Sequence, residues 1–227
     1  MNEFKGLIID SIDYKEKSKI VYLYTPYGKE SILVKAGKAY KAGNLGMITT
    51  LNEVSYVKSK AKLPVMIEYH VLNSYFEITS SIEKIKAISI ILEIIKNIPI
   101  DSNHLRCYDF IIKTLNDLKN NSNTKKVLSL FLIKMLYIYG VNPSLKECVN
   151  CHNKDNLVFF DIQRGGALCF NCTLNNTKEK LDIWTEYYYD KKDINDYTDI
   201  DFDKLLKDIG SYYNIHLSIN IEKHLGA

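Results

Sequence analysis

Short apolar runs separated by turn residues make up the first part of the chain, over residues 4–73. Apolar and polar positions that alternate, with many β-branched and aromatic residues, are typical of strands with one buried face. The turn Pro26–Lys29 lies between two such runs and predicts a hairpin. The predicted strands are Phe4–Ile12, Ile20–Thr25, Glu30–Lys35, Met47–Val57 and Leu63–Leu72. Five short strands with no long helix predict a small, nearly closed barrel, and the oligonucleotide-binding (OB) type is the first candidate at this length.

The pattern changes to a helical period after Ser80. Ser80 and Glu83 have the spacing of a capping box, and apolar residues then recur at helical intervals up to about Asn97. These apolar positions are Ile82, Ile85, Ile88, Leu92 and Ile95.

Three further helices are predicted, over Asp101–Lys119, Thr124–Tyr139 and Phe202–Leu217. The middle one is apolar on nearly every side, so we expect it at the centre of a helical bundle. The apolar faces of the other two consist of Leu105, Tyr108, Ile112 and Leu115, and of Leu205, Leu206, Ile209, Tyr212 and Tyr213.

Four of the five cysteines form two pairs, Cys148 with Cys151 and Cys169 with Cys172, separated by 17 residues. Two residues between paired cysteines allow a tight turn to direct both sulfurs at one ion, and two such turns complete a tetrahedron. Apolar segments between the pairs predict two short strands, Leu157–Asp161 and Gly165–Leu168. The pattern therefore predicts a zinc ribbon with one Zn²⁺, which is structural because four thiolates leave no open position.

Two disulfides or four unrelated buried thiols are the alternatives to this metal site. The start of the chain does not resemble a secretory signal, so a reducing cytoplasm, which disfavours disulfides, is the expected location. His152 could replace a ligand, although a position at the rim is favoured. The longest apolar run, Val127–Tyr139, has 13 residues and contains Lys134, which favours a buried helix over a membrane span.

These patterns together predict an α+β fold: an N-terminal five-stranded OB-type β-barrel followed by a helical-bundle domain with an inserted four-cysteine zinc ribbon. The predicted domains are residues 1–78 and 79–227, with the ribbon at about 145–176.

Positive charge is concentrated in the barrel region: residues 1–62 contain 11 lysines and 6 acidic residues, in a chain with a net charge of +3. OB barrels bind nucleic-acid strands through a basic groove and stack bases on aromatic rings. Tyrosines, among them Tyr22, Tyr24, Tyr27 and Tyr40, are interleaved with the lysines, although some of them are expected in the barrel core. The candidate DNA-binding residues are Lys19, Lys29, Lys35, Lys38 and Lys41.

Catalytic signatures are missing from the sequence: we find no phosphate-binding loop, nucleophile elbow or zinc-protease motif. Cys107 lies in a predicted helix with apolar neighbours, which favours a position in the core over a role as a nucleophile. The chain is therefore not expected to be an enzyme.

Several segments resemble the RecO family of bacterial recombination mediators. They are Asp13–Lys29 (DYKEKSKIVYLYTPYGK), Lys35–Lys38 (KAGK), Tyr139–Pro143 (YGVNP), Phe159–Cys169 and Tyr212–Leu217 (YYNIHL). The resemblance implies a protein that binds single- and double-stranded DNA and anneals complementary strands. It also implies contact with the single-stranded-DNA-binding protein and, together with RecR, loading of RecA in the cytoplasm at the nucleoid.

Two other classes stay open from the residues alone: a nucleic-acid-processing enzyme, or a protein-interaction scaffold with barrel and zinc-ribbon modules. A nucleotidyl-transfer motif, K-x-D-G, would favour the enzyme, and the sequence has none.

Overall fold

The computed structural model describes residues 3–35, 45–173, 179–181, 184 and 201–225. The chain divides into two compact units, of which the first ends at Ser122 and the second begins at Asn123. The predicted fold class is confirmed: a five-stranded antiparallel OB-type barrel is followed by helices and a four-cysteine ribbon. The domain boundary predicted between residues 78 and 79 stays a prediction, since the first unit includes two helices beyond it.

The barrel forms a nearly closed sheet with the strand order β3-β2-β1-β4-β5. Its two end strands meet where Leu33 forms a parallel bridge with Val65 and its amide donates to the carbonyl of Pro64 at 2.8 Å. The strands are β1 (Phe4–Tyr14), β2 (Ser18–Thr25), β3 (Gly28–Val34), β4 (Asn52–Lys58) and β5 (Met66–Ser74). Inward residues of β1–β4 and Met47, which precedes β4, form one apolar core of Ile8, Val21, Leu23, Ile32, Val34, Met47, Val54 and Tyr56.

The predicted strand Met47–Val57 is wrong at its beginning. A short helix, α1 (Leu45–Ile48), stands there, and β4 begins only at Asn52. Leu51 has a φ of +70°, which turns the chain between the two elements. Met47 lies on this helix, and its side chain is buried in the barrel core. An apolar residue that the pattern assigned to a strand therefore packs into the core from α1.

Two helices complete the first unit, α2 (Ile82–Asn97) and α3 (His104–Asn120). The cap of α2 is Ser81, whose side chain accepts from the Lys84 amide, and not the predicted Ser80. The predicted apolar face of α2 is also partly wrong, because Ile82 and Ile85 are exposed. Isoleucine occurs on both sides of α2, so the helical spacing of apolar residues fits either of two faces. The buried one is Ala87, Ile88, Ile90, Ile91, Ile94 and Ile95.

Polar contacts join these helices to the barrel. The Tyr108 hydroxyl on α3 donates to the buried carboxylate of Glu53 on β4 at 2.8 Å. The Tyr24 hydroxyl on β2 lies 2.9 Å from Nδ1 of His104, at the start of α3. Such bonds between buried groups need fixed geometry, so barrel and helices hold one another in place.

The second unit is built on α4 (Thr124–Ile138) and α5 (Phe202–Leu217), with a short helix α6 (Glu222–Leu225) after them. The prediction that α4 is buried on nearly all sides is confirmed, and the predicted core residues of α5 are buried. The Tyr213 hydroxyl donates to the carbonyl of Leu132 at 2.8 Å inside this packing, and burial raises the pKa of Tyr213.

The ribbon strands follow the prediction closely: β6 (Leu157–Asp161) pairs with β7 (Gly166–Cys169), and β8 (Glu179–Lys180) lies on the other side of β6.

Candidate functional site

The four paired cysteines come together in the ribbon. Their sulfur atoms all lie within 4.8 Å of one another, and the Sγ atoms of Cys151 and Cys169 are 3.6 Å apart. A tetrahedral zinc site with Zn–S bonds of ~2.3 Å places its sulfurs ~3.8 Å apart, whereas a disulfide needs ~2.05 Å. All four are free thiols. The arrangement can therefore bind one metal ion.

Each cysteine pair is held by a tight turn. In the first, the His152 amide donates to the Cys148 carbonyl at 2.9 Å, and His152 adopts a left-handed φ of +60°. The second turn is a short 3-10 helix, Phe170–Cys172, followed by Thr173, whose hydroxyl donates to the Cys169 carbonyl at 3.0 Å. His152 is not a member of the sulfur cluster and pairs with Glu147 at 3.1 Å.

The thiols of the cluster differ in acidity. Burial acts to raise the pKa of Cys148, but the backbone amides of Cys169, Asn150 and Cys151 outweigh burial and lower this pKa to about 6. The Asn153 amide acts to lower the pKa of Cys151, but hydrogen bonds with the other three thiols raise it to about 12. The hydrogen bonds to Cys148 thus favour its thiolate form, which is the form that binds a metal ion. Four thiolates need a cation to balance their charge, which is what a bound metal supplies.

Gly166 on β7 allows the segment that precedes the first cysteine pair to lie close to the ribbon. A Cβ on Gly166 would lie 2.5 Å from Val149 and 2.6 Å from the carbonyl oxygen of Ser144. Ser144 pairs directly with this strand, because the Ala167 amide donates to its carbonyl at 2.7 Å. Only glycine permits so close an approach of two backbones.

An aromatic cluster joins the ribbon to α5. The ring of Phe160 on β6 stacks on Trp184 with centroids 4.2 Å apart, and Trp184 contacts Tyr212 on α5. One turn later, His216 Nε2 donates to the carbonyl of Ile162 at 2.8 Å. The segment Tyr212–Leu217 noted in the sequence therefore fixes the ribbon to the helical body.

The candidate DNA-binding lysines have different surroundings on the barrel. Lys19 forms an ion pair of 2.8 Å with Asp13, and Lys35 is exposed at the end of β3. Lys29 Nζ donates to the carbonyls of Lys96 and Ile98, at 2.8 and 3.2 Å, where it caps the end of α2. Lys38 and Lys41 lie outside the described residues. The role of all five candidate lysines in DNA binding stays a prediction.

Sequence reasoning missed four further lysines. Lys15 and Lys17 lie exposed in the β1–β2 turn, and Lys60 and Lys62 lie exposed in the β4–β5 loop. The loop is closed by Ser59, whose amide donates to the Val65 carbonyl at 3.0 Å. In the sequence alone, both segments look like ordinary polar turns. The signal is their position in the barrel, since OB barrels bind oligonucleotides with strands 2 and 3 and with these two connections.

Backbone pairing brings the two connections to one end of the barrel. Lys19, just after the β1–β2 turn, is opposite Val34 on β3, and the bridge at Leu33 holds the end of the β4–β5 loop beside it. We call the exposed lysines at this end the basic rim; they are Lys15, Lys17, Lys35, Lys60 and Lys62.

Tyrosines of the barrel divide between core and surface. Tyr24 is fully buried and so is unavailable to a base, whereas Tyr27 is exposed at the tip of the β2–β3 hairpin.

Among the described helices, none is both long and apolar enough to cross a membrane.

Comparisons with known proteins match both parts of the chain. The family model described as "Recombination protein O N terminal" matches residues 1–75, and "Recombination protein O C terminal" matches residues 79–180. The "DNA repair protein RecO" of Halalkalibacterium halodurans is 24% identical over 172 residues, which cover 74% of this chain and 67% of that protein. The protein of the same name from Desulfatibacillum aliphaticivorans is 30% identical over 181 residues, covering 74% and 69%. That of Caldicellulosiruptor saccharolyticus is 26% identical, covering 77% and 73%.

Proposed function

The chain belongs to the RecO family of DNA repair proteins, and from this premise we propose that it is a non-enzymatic mediator of homologous recombination that binds DNA through the basic rim of its barrel. In this role it binds single- and double-stranded DNA and anneals complementary strands. With RecR it helps to load RecA onto DNA coated by the single-stranded-DNA-binding protein. Family membership supports the repair role, while the partners rest on the resemblance alone.

The observation that carries the DNA-binding proposal is the convergence of two lysine-bearing connections at one end of an OB barrel. The β1–β2 turn and the β4–β5 loop are the connections with which such barrels hold oligonucleotides. Exposed ammonium groups attract phosphates, which every DNA sequence presents alike, so binding is expected to be independent of sequence. Tyr27 lies at the opposite end of β2 and β3 from the basic rim, and its exposed ring can stack on a base of a DNA strand that runs along these two strands.

We further propose that the ion in the ribbon is Zn²⁺, bound by Cys148, Cys151, Cys169 and Cys172. Thiolates at tetrahedral spacing select zinc among the common cellular cations. Because all four positions are filled by protein, the ion supplies folding energy and no reaction chemistry.

A binding titration tests the proposal. Anisotropy of a dye-labelled single-stranded oligonucleotide should rise on addition of the full chain, and the affinity should fall as salt increases. The expected slope of log K against log salt is about −0.7 for each phosphate contact. Equal affinity for oligonucleotides of unrelated sequence is expected. Failure to bind at low salt would favour the scaffold class over the mediator.

A further inference from the structure

The outer face of strands β1, β2 and β3 carries a row of apolar side chains. Residues that are opposite one another in an antiparallel sheet point to the same face, and neighbours along a strand alternate between faces. Since Val21 and Ile32 lie in the core, the pairs next to them face outward. Ile12, Ile20 and Leu33 form one such row across the three strands, and Ile12 is 44% exposed. The outer face of an antiparallel sheet is usually polar where water reaches it, so this apolar row indicates a binding surface.

The next row toward the β2–β3 hairpin lines a cavity. It consists of Asp10, Tyr22 and Ser31, and the cavity has a volume of about 270 Å³. Lys96 of α2 contributes to the wall, and its Nζ pairs with Asp10 at 2.7 Å. Tyr22 is half-buried there. Pockets for drug-sized ligands measure ~300–1,000 Å³, so this smaller cavity has room for one planar ring.

The charges around this cavity are balanced. Among the described residues, its lining contains two acids, Asp10 and Glu30, and two lysines, Lys29 and Lys96. Glu30 also pairs with Lys58, and Lys29 Nζ donates to two carbonyls at the end of α2. A phosphate binds where positive charge is in surplus, so a neutral ring fits this cavity better than a phosphate does.

The basic rim borders the apolar row on the side away from the cavity. Lys15 follows Ile12 by three positions along the chain, and Lys35 follows Leu33 by two. A DNA strand whose phosphates lie at the rim can therefore place its bases across the row and into the cavity. Only unpaired bases can do so, because the bases of a duplex are paired and stacked on one another.

We propose that the outer face of β1–β3 is a subsite for unpaired bases of single-stranded DNA, in which one base enters the cavity and stacks on Tyr22. This inference rests on the proposed binding of DNA at the basic rim and adds a preference between kinds of strand. The rim attracts the phosphates of single strands and duplexes alike, whereas the bases of a single strand also contact Tyr22 and the apolar row. The protein therefore binds a single strand more tightly than it would bind the same phosphates without exposed bases.

Anisotropy titrations of the full chain with a labelled thymidine oligonucleotide and with a labelled duplex test this subsite. Tyr22→Ala should bind the single strand about 5- to 100-fold more weakly, because one stacking contact is lost. Its affinity for the duplex and its salt slope with the single strand should equal those of the wild type, because no phosphate contact changes. Tyr22→Phe keeps the ring and should keep the affinity. Tyr137→Ala, which removes an exposed ring from α4, is the matched control and should bind both ligands as the wild type does.

A modified ligand gives the same test without a variant. An oligonucleotide of abasic sites keeps the phosphates and lacks the bases, so the wild type should bind it more weakly than the thymidine strand. This difference should shrink in Tyr22→Ala, since base and ring are partners in one contact. Ile12→Ser, at an exposed position, is the second variant in case loss of the Tyr22 ring unfolds the barrel. It should lower the affinity for the single strand and leave the affinity for the duplex unchanged.

The outcomes separate this subsite from DNA binding itself. A wild type that binds neither ligand at low salt would remove the proposed DNA binding and the subsite with it. A wild type that binds the thymidine and abasic strands equally would overturn the subsite alone. So would a folded Tyr22→Ala that keeps its affinity for the single strand, and a protein segment would then be favoured as the ligand of the apolar row.

Discussion

The barrel and the ribbon are both small β-structures, but different forces stabilise them. The barrel surrounds a core of eight buried side chains, from Ile8 on β1 to Tyr56 on β4. The ribbon has a cluster of three buried residues, and two of these, Cys148 and Cys169, are members of the sulfur cluster. Burial of apolar surface can fold the first, whereas the second has too little of it. The difference indicates that, in a module this small, the proposed metal site takes the place of a hydrophobic core.

The strongest way to break this comparison is to remove the metal. Cys148→Ser should lose bound zinc and unfold the ribbon, because zinc binding contributes about 10–16 kcal/mol of apparent folding energy in small modules. Amide hydrogen exchange should become fast in β6 and β7 and stay slow in β1–β4. Elemental analysis measures the zinc.

Cys107→Ser, at a buried thiol of α3, is the matched control and should keep its zinc. Equal zinc content and equal exchange in the ribbon of Cys148→Ser and wild type would refute the metal site.

A change in ribbon packing should have a smaller effect. Gly166→Ala forces a methyl group against Val149 and the Ser144 carbonyl, and overpacking of this kind costs about 1–3 kcal/mol. Urea unfolding followed by exchange in β7 measures the loss. Gly140→Asn is the control, because an added Cβ there would have no heavy atom of the described residues within 4 Å apart from its chain neighbours, and asparagine tolerates the φ of +71°. If both variants lose the same stability, the close approach at Gly166 is unimportant.

The barrel should respond to loss of a buried hydrogen bond. Tyr108→Phe leaves the Glu53 carboxylate with its contact to Asn73, 2.7 Å away, and without the hydroxyl. A bond to a charged group contributes about 1.5–3 kcal/mol, so the denaturation midpoint of the first unit should fall while zinc content is unchanged. The exposed Tyr137 provides the control Tyr137→Phe, which should change nothing. Loss of zinc in Tyr108→Phe would contradict the separation of the two stabilising mechanisms.

The smallest expected effect concerns the surface of the barrel. Lys60→Gln/Lys62→Gln should leave stability unchanged and lower DNA affinity, with the salt slope reduced in magnitude by about 1.4 for two lost contacts. Lys84→Gln/Lys86→Gln on α2 removes the same charge from the same unit and should preserve the slope. A slope that is equal in both double variants would remove the basic rim from the binding surface.

Sequence patterns predicted the ribbon better than the barrel surface. The cysteine spacing places all four sulfurs together because each pair depends on a local turn of a few residues. The bounds of α5 were predicted in full because Asp201 caps its start and its apolar face has one stripe. Long-range contacts decide the rest. Lys29 looks like a free cation in the sequence, yet the end of α2, almost seventy positions away, binds it. Likewise, Lys58 forms an ion pair with Glu30, and its Nζ lies 4.2 Å from the centroid of the Phe4 ring.

The aromatic contact between Phe160 and Trp184 has a practical consequence. Trp184 is the only tryptophan of the chain and is buried against the ribbon. Intrinsic fluorescence excited at the indole band therefore originates at a single seam, which is the contact between the ribbon and α5. The chain carries its own optical reporter there, and a red shift of its emission would reveal the opening of that seam without any label.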